Sequence, residues 1–463
     1  MRGAHGELTR MTGQVRRFDR FPSVDAALRA IHGEAVTGRG SVRRIGVTRA
    51  GEPLELVTVG SGPRNILVVA GPHPNEPVGL LTAWELVRLV GAAIRAQDPA
   101  VAPFTWHVLP CWDLDGARLN EGWYAGPPGV EAYHRNFYRP GLAAQPEWTF
   151  PLDVPGGRFD RPLPETRAVM EVIDTLRPLV LCSLHNSDVG GAFSIIDQDD
   201  PTLAGELARI PAAHGLPVDA VSMDTVGWPC SAPGVHILPG AGELHPDTGA
   251  PRSAPGHGTC SLHYAQRYGT RGVIAEVPRW EVRRPAVPSS PEAWAVAVAG
   301  QAEHLMRAVA PVEEALGAAL RAAPEGPFGP AVQDTIRLAR ASATVWRTKI
   351  GLPRDPEAAE GLWHAVHDTA RLLPLRTLGM WQRMFPDPSD VRAVAGPAGE
   401  HDSALLARST AYAHRTFGAL CEAFDAECRP TAYPLGSLVA AQLSAVLTAS
   451  AIGDGAITPC RPS

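Results

Sequence analysis

The stretch Asn65-Ile66-Leu67-Val68-Val69-Ala70-Gly71-Pro72-His73-Pro74-Asn75-Glu76-Pro77 decides the fold. From Ile66 to Ala70 it is apolar without interruption, the pattern of a strand buried on both faces. Pro77 then opens an amphipathic pattern that reaches Ala96. Proline suits the first turn of a helix, where its missing N–H has no intrahelical partner to lose. A buried strand feeding a helix across one short turn is the start of an α/β unit.

The same alternation continues outward. Strands are expected over 104–109, 179–184 and 272–277, and helices over 164–176, 201–214 and 262–268. Upstream, 44–48 and 54–59 flank Arg49-Ala50-Gly51-Glu52-Pro53, a hairpin signal. The expected fold class is α/β: a mixed, mostly parallel central sheet flanked by helices, with an all-helical C-terminal appendage. Residues 1–40 read as a polar arm with a short helix over 23–35. Residues 41–288 read as the α/β domain. Residues 289–463 read as helical, with Ser290 as N-cap and further helices near 330–349, 356–373, 403–427 and 435–452.

Composition narrows the function classes. The 463 residues carry a net charge of −6, with 45% hydrophobic and 19% charged residues. A mildly acidic chain without a basic block is a poor nucleic-acid binder. Lys349 is the only lysine among 42 basic residues. The longest uncharged run, 430–453, contains Ser437, Gln442, Ser444, Thr448 and Ser450, so a buried helix is expected there rather than a membrane span. No apolar segment of the secretory type follows Met1. The seven cysteines form no C-x-x-C motif; reduced thiols in a cytoplasmic protein are expected. Gly and Pro number 46 and 45, well above ordinary usage. They concentrate around 72–77, in 113–164 and between 217 and 258. Such long, aromatic-containing connections are usually functional.

Ligands of open α/β sheets gather at the carboxyl ends of the strands. Past the 65–70 strand stand His73 and Glu76. Past 104–109 come Asp113-Leu114-Asp115-Gly116-Ala117-Arg118. Past 179–184 comes His185, and within 272–277 lies Glu276. Two imidazoles and one carboxylate suit catalytic zinc and leave a fourth position open. Taken singly, each residue has a plainer role. Glu76 could favour a helix start by charge, His73 could be a turn residue, and Glu276 could pair with Arg279. Serine-hydrolase, P-loop and H-E-x-x-H motifs are absent from the sequence.

Together these residues resemble the zinc carboxypeptidase family. The resemblance runs over about 65–280: His73-Pro74-Asn75-Glu76, Asp113-Leu114-Asp115-Gly116, Arg135-Asn136-Phe137, His185, Ser261-Leu262-His263-Tyr264 and Glu276. It implies a hydrolase with one zinc per chain, held by His73, Glu76 and His185. Glu276 is implied as general base and then general acid, and Arg118 as the cation facing the oxyanion. Arg135, with Asn136, is implied to grip a substrate carboxylate through a guanidinium fork; Arg139 is the rival for that place. The implied substrate is a peptide with a free C-terminus. Departures fall at Asp113, Leu114, His134 and His263, and His257 or Tyr264 is left to stand for the family's mobile tyrosine. An amidohydrolase of the aspartoacylase or succinylglutamate desuccinylase type, acting on N-acyl amino acids, shares much of this pattern. A zinc-binding protein without turnover is the third reading. His236, His245, His257 and His263 are expected as hydrogen-bonded loop residues. His364 and His367 are expected on an ordinary helix face, with a second metal as the alternative.

Overall fold

The computed structural model describes residues 6, 8–126, 129–154, 157–243, 257–323, 325–387 and 400–453. Its strands are β1 (Ser41–Val47), β2 (Pro53–Gly60), β3 (Arg64–Ala70), β4 (Phe104–Leu109), β5 (Leu152–Val154), β6 (Gly157–Phe159), β7 (Val180–Val189), β8 (Phe193–Ile196), β9 (Cys230–Ala232), β10 (Val235–Ile237), β11 (Arg271–Glu281) and β12 (Thr431–Ala432). The main sheet runs β1-β2-β4-β3-β7-β11-β8-β10-β9, with β12 paired to β11. Its centre, β4-β3-β7-β11, is parallel. The hairpin β1–β2 and the pair β11–β8 are antiparallel. β5 and β6 form a separate small hairpin.

The central strands are mostly apolar because both faces are covered. Ile66, Val68 and Ala70 enter one core with Cys182, Leu184, Val273 and Ala275. The alternate residues Leu67 and Val69 enter the other with Leu181 and Ile274. The first face is covered by the Val78–Arg95 helix and the Leu435–Gly453 helix, which also pack on each other. The second face receives Val169 and Ile173 from the Pro164–Leu176 helix.

The 104–109 strand and the 164–176 helix form as read from sequence. Elsewhere the structure extends or divides the expected elements. β7 runs beyond 184 to Val189, and β11 beyond 277 to Glu281. The expected 201–214 helix breaks into Pro201–Leu207 and Ile210–Ala213. Pro211 has no N–H to continue the helical ladder toward Leu207. The helix expected over 356–373 passes through Pro374 and ends at Met384. Leu372, Leu373, Leu375 and Leu378 are all buried around that proline, and their burial outweighs its cost of about 3 kcal/mol.

After residue 288 the regular elements among the described residues are helices except for β12: Pro291–Ala322, with Ser290 accepting from Ala293 N, then Phe328–Thr348, Pro356–Met384, Glu400–Cys428 and Leu435–Gly453. The last helix is long and apolar enough to cross a membrane, yet 83% of its most apolar window is buried inside the protein.

Candidate metal centre

β3 stops at Ala70, which pairs with Leu184 of β7. β7 continues, so His185 is the first residue past the end of its neighbour. In the parallel pair β7–β11, His185 is the register partner of Glu276. Strand register alone therefore brings a histidine and a glutamate side by side, 91 positions apart in sequence.

The 71–77 turn brings the other two groups. Gly71 has φ +57°, a left-handed conformation that suits glycine. Backbone bonds Trp112 N→Ala70 O and Asp113 N→Gly71 O continue the sheet's hydrogen bonding beyond β3. Pro74 rests on Gly116, where a Cβ would lie 2.6 Å from the proline Cβ. Asp113 Oδ1 accepts from Gly116 N at 3.1 Å. The Asp-Gly turn thus buttresses the His73–Glu76 turn.

His73, Glu76 and His185 are buried, and one potential ligand atom from each lies within 4.8 Å of the others. The two imidazole rings meet edge-on at 4.8 Å between centroids. His185 Nδ1 is 3.2 Å from Glu76 Oε2 and 3.7 Å from Glu276 Oε1. Its other nitrogen, Nε2, is 2.9 Å from Ser183 Oγ. Such a contact orients a ligating ring. Glu76 Oε2 also accepts from Asn186 N at 3.2 Å.

The donor set fits a small borderline-soft divalent ion such as zinc: two ring nitrogens and a carboxylate. His73 Nδ1 and Glu276 Oε2 are buried with no hydrogen-bond partner among the described residues. A buried orphan nitrogen is costly, and a bound cation would supply its partner. Burial, and then the charges of Arg139 and His185, hold the His73 pKa well below its ordinary value. Burial therefore favours the neutral ring, the form in which an imidazole binds a metal. Burial, reinforced by repulsion from Glu76 and Asp224, pushes the Glu276 pKa up and makes it a readier proton acceptor and donor. Among the described residues this is the one group of three or more His, Cys, Asp and Glu side chains placed to hold a metal.

The arginines are arranged differently from expectation. Arg118 does not face the centre. Its guanidinium binds Glu52 at 2.6 Å and Asp25 at 2.9 Å, because the 114–120 helix turns it toward the β1–β2 hairpin and the 24–37 helix. Arg135 also points elsewhere: it pairs with Glu131 one helical turn back, donates to Gln382 at 3.3 Å and lies over Phe417. Asn136 Nδ2 caps Ala132 O at 3.0 Å. The guanidinium that does reach the centre is Arg139, whose Nη1 is 2.7 Å from Glu76 Oε1.

The remaining candidates hold local bonds. Tyr264 Oη donates to Asp174. His236 sits between Cys230 and Thr225, and His263 between Thr259 and Pro239 O. His367 Nδ1 is 3.2 Å from Asp368, and Asp368 is held by Arg284 at 2.6 Å. His245 lies outside the described residues. Two further carboxylates near the centre were not singled out from sequence. Glu147 is buried and accepts from Ser261 N and Oγ. Asp188, on β7 beyond His185, accepts from Tyr133 Oη at 2.6 Å and Arg376 Nη2 at 2.7 Å.

No protein-family model and no curated protein matches the chain. Solved structures similar to it include a metallo-carboxypeptidase from Burkholderia cenocepacia, 18% identical, with TM-score 0.36 over 56% of this chain and 60% of that one. Bovine thrombin-activatable fibrinolysis inhibitor, solved with a tick carboxypeptidase inhibitor, is 12% identical, with TM-score 0.35 over 72% of this chain and 99% of that one. A murein-tripeptide amidase from Escherichia coli O157 is 20% identical, with TM-score 0.26 over 51% of this chain and 83% of that one. The chain thus spans about three-fifths of the Burkholderia protein.

Proposed function

We propose that the chain is a zinc-dependent, carboxypeptidase-like hydrolase that cleaves a C-terminal amide bond. The observation that carries this reading is the buried His73-Glu76-His185 set, with Glu276 in register beside His185 and 3.7 Å from its Nδ1. His73, Glu76 and His185 hold the ion. When bound, zinc supplies Lewis-acid polarisation of a carbonyl and acidifies water. Glu276 takes a proton from the attacking water at its unpartnered Oε2 and returns it to the leaving amine as the C–N bond breaks. The elevated pKa of Glu276 supports that double role. Arg139 binds Glu76 through Nη1 and is partly exposed, and its remaining guanidinium nitrogens are taken here as the grip on the substrate's carboxylate; Arg118 and Arg135 pair with acids away from the centre.

The test is a product screen on zinc-loaded protein. Peptides with free and amidated C-termini are compared with N-acyl amino acids, and products are read by mass spectrometry. Release of C-terminal residues from free-carboxylate peptides is expected, with loss of turnover but retention of one zinc per chain in Glu276→Gln. Turnover of N-acyl amino acids alone would transfer the same centre to the amidohydrolase reading. Undiminished turnover in Glu276→Gln would remove the assigned base.

A further inference from the structure

The helical C-terminal region reaches the metal centre through two side chains that make no direct contact with the three ligand atoms. Gln442 lies in the middle of the Leu435–Gly453 helix and is fully buried. Its Nε2 donates to His185 O at 2.6 Å and lies 3.4 Å from Ala275 O. Its Oε1 accepts from Thr82 Oγ1 at 2.7 Å. One amide therefore ties β7 at a ligand, β11 at the residue before Glu276, and the helix that leaves the 71–77 turn. A buried amide in an apolar helix costs about 1–3 kcal/mol unless it is bonded. Here both ends of the amide are bonded: to the two strands that carry His185 and Glu276, and to the helix that follows directly on the His73–Glu76 turn.

The second side chain is Arg376, on the Pro356–Met384 helix. Its Nη2 binds Asp188 Oδ2 at 2.7 Å, and its guanidinium lies over Phe137. Asp188 Oδ1 accepts from Tyr133 Oη at 2.6 Å, and Tyr133 Oη accepts from Asn75 Nδ2 at 3.2 Å. Asn75 stands between His73 and Glu76. Arg376, Asp188, Tyr133 and Asn75 thus form one continuous chain from the helical region to the ligand turn. Every member except Arg376 is fully or almost fully buried.

We infer that Gln442 and Arg376 are positioning residues for the metal centre, so that the helical region sets the geometry of the ligands instead of serving as a separate docking module. The inference rests on the metal reading above. Partners behind metal ligands are worth about 10–100-fold in metal affinity, and a mere packing role would move stability without moving affinity.

The experiment measures zinc affinity by chelator competition, alongside thermal stability of the zinc-free protein, on the full chain. The variants are Gln442→Leu, Arg376→Gln, Arg376→Lys, Tyr133→Phe and the Arg376→Gln/Tyr133→Phe double. Gln442→Leu and Arg376→Gln should each weaken zinc binding by about 10-fold or more. Tyr133→Phe removes a single oxygen and leaves the helical region untouched, so it tests the relay even where Arg376→Gln fails to fold. Arg376→Lys, keeping a cation opposite Asp188, should recover part of the loss. The double variant should lose no more than the worse single variant, because both cut one chain. Wild-type zinc affinity in Gln442→Leu and Tyr133→Phe, with only stability lowered, would overturn the inference and leave the metal reading standing. A wild-type chain that takes up no zinc would overturn the metal reading, and this inference with it.

Discussion

Gly379→Ala is a one-methyl test of how the helical region is seated. Gly379 lies in the Pro356–Met384 helix, where it crosses the short helix that ends in His134 and Arg135. A Cβ at 379 would stand 2.0 Å from His134 O, against 3.4 Å for the onset of ordinary contact. The obstacle is backbone, so the long helix must retreat by about 1.4 Å. The same helix carries Arg383, whose Nη1 donates to Leu119 O at 2.6 Å and Asn136 O at 2.9 Å, and Arg376, 2.7 Å from Asp188. A retreat of that size stretches these bonds past the ~3.5 Å at which they fail. Two effects compete. Alanine favours a helix over glycine by about 1 kcal/mol. Overpacking costs about 1–3 kcal/mol, and each hydrogen bond to a charged group a further ~1.5–3 kcal/mol. Packing wins, and a net loss of at least ~2 kcal/mol is expected. Gly300, exposed in the Pro291–Ala322 helix with nothing within 4 Å of its would-be Cβ, is the control: Gly300→Ala should gain about 0.5–1 kcal/mol. Urea unfolding of the zinc-free proteins reads both. A Gly379→Ala variant as stable as Gly300→Ala would refute the seating argument.

The structure leads to three other expectations. Zinc at a hundred times its dissociation constant should raise stability by about 2.7 kcal/mol. His73→Ala or His185→Ala should abolish that rise, seen as a melting temperature no longer responsive to zinc. Arg139→Ala should raise KM for free-carboxylate peptides at least 10-fold over amidated ones, while Arg135→Ala should affect both alike; equal effects of Arg139→Ala on both substrates would remove the clamp. His134 is fully buried, and burial, opposed by Asp188 and the Val130 carbonyl, lowers its pKa from 6.5 to about 4. Between those values the unfolded chain binds the extra proton. The stabilising effect is therefore complete above pH ~6.5 and lost as the pH falls toward 4. Going from pH 7 to pH 5 this one group costs about 2 kcal/mol, and His134→Leu should remove that share of the acid sensitivity in urea titrations at the two pH values.

The centre of the sheet could be read from the chain because its chemistry is local. Residues 66–70, 104–109 and 180–184 are covered on both faces, so the first is an unbroken apolar run and the others are mostly apolar, interrupted only by Thr105, His107 and Ser183. The edge could not be read in the same way. β8, β9 and β10 have four residues or fewer, and Cys230–Ala232 is partly exposed, so no run or alternation marks them. β12 has two residues and exists because β11 runs beyond its pairing with β8, which ends at Glu276, on to Trp280 and Glu281. A run of residues cannot announce a partner that another element supplies.

The candidate centre divides along the same line. His73, Glu76, His185 and Glu276 follow from one rule, that groups at the ends of adjacent parallel strands converge, and the register places them together. The arginines obey a different geometry. In Arg135-Asn136-Phe137-Tyr138-Arg139, a helix ends at Arg135, and its rotation gives Arg135 to Glu131 on the preceding turn. Arg139 lies past the helix and reaches back to Glu76. Only the rotation of that last turn distinguishes the two, and the sequence R-N-F-Y-R does not encode it by itself. Gln442 is the more instructive case. On the chain it is one polar residue that marks an apolar run as a buried helix instead of a membrane span. In the fold, the cost of burying its amide is met by His185 O and Thr82 Oγ1, 257 and 360 positions away. A lone amide in an apolar helix therefore signals a distant backbone left short of a partner, and here that backbone carries His185, the proposed metal ligand.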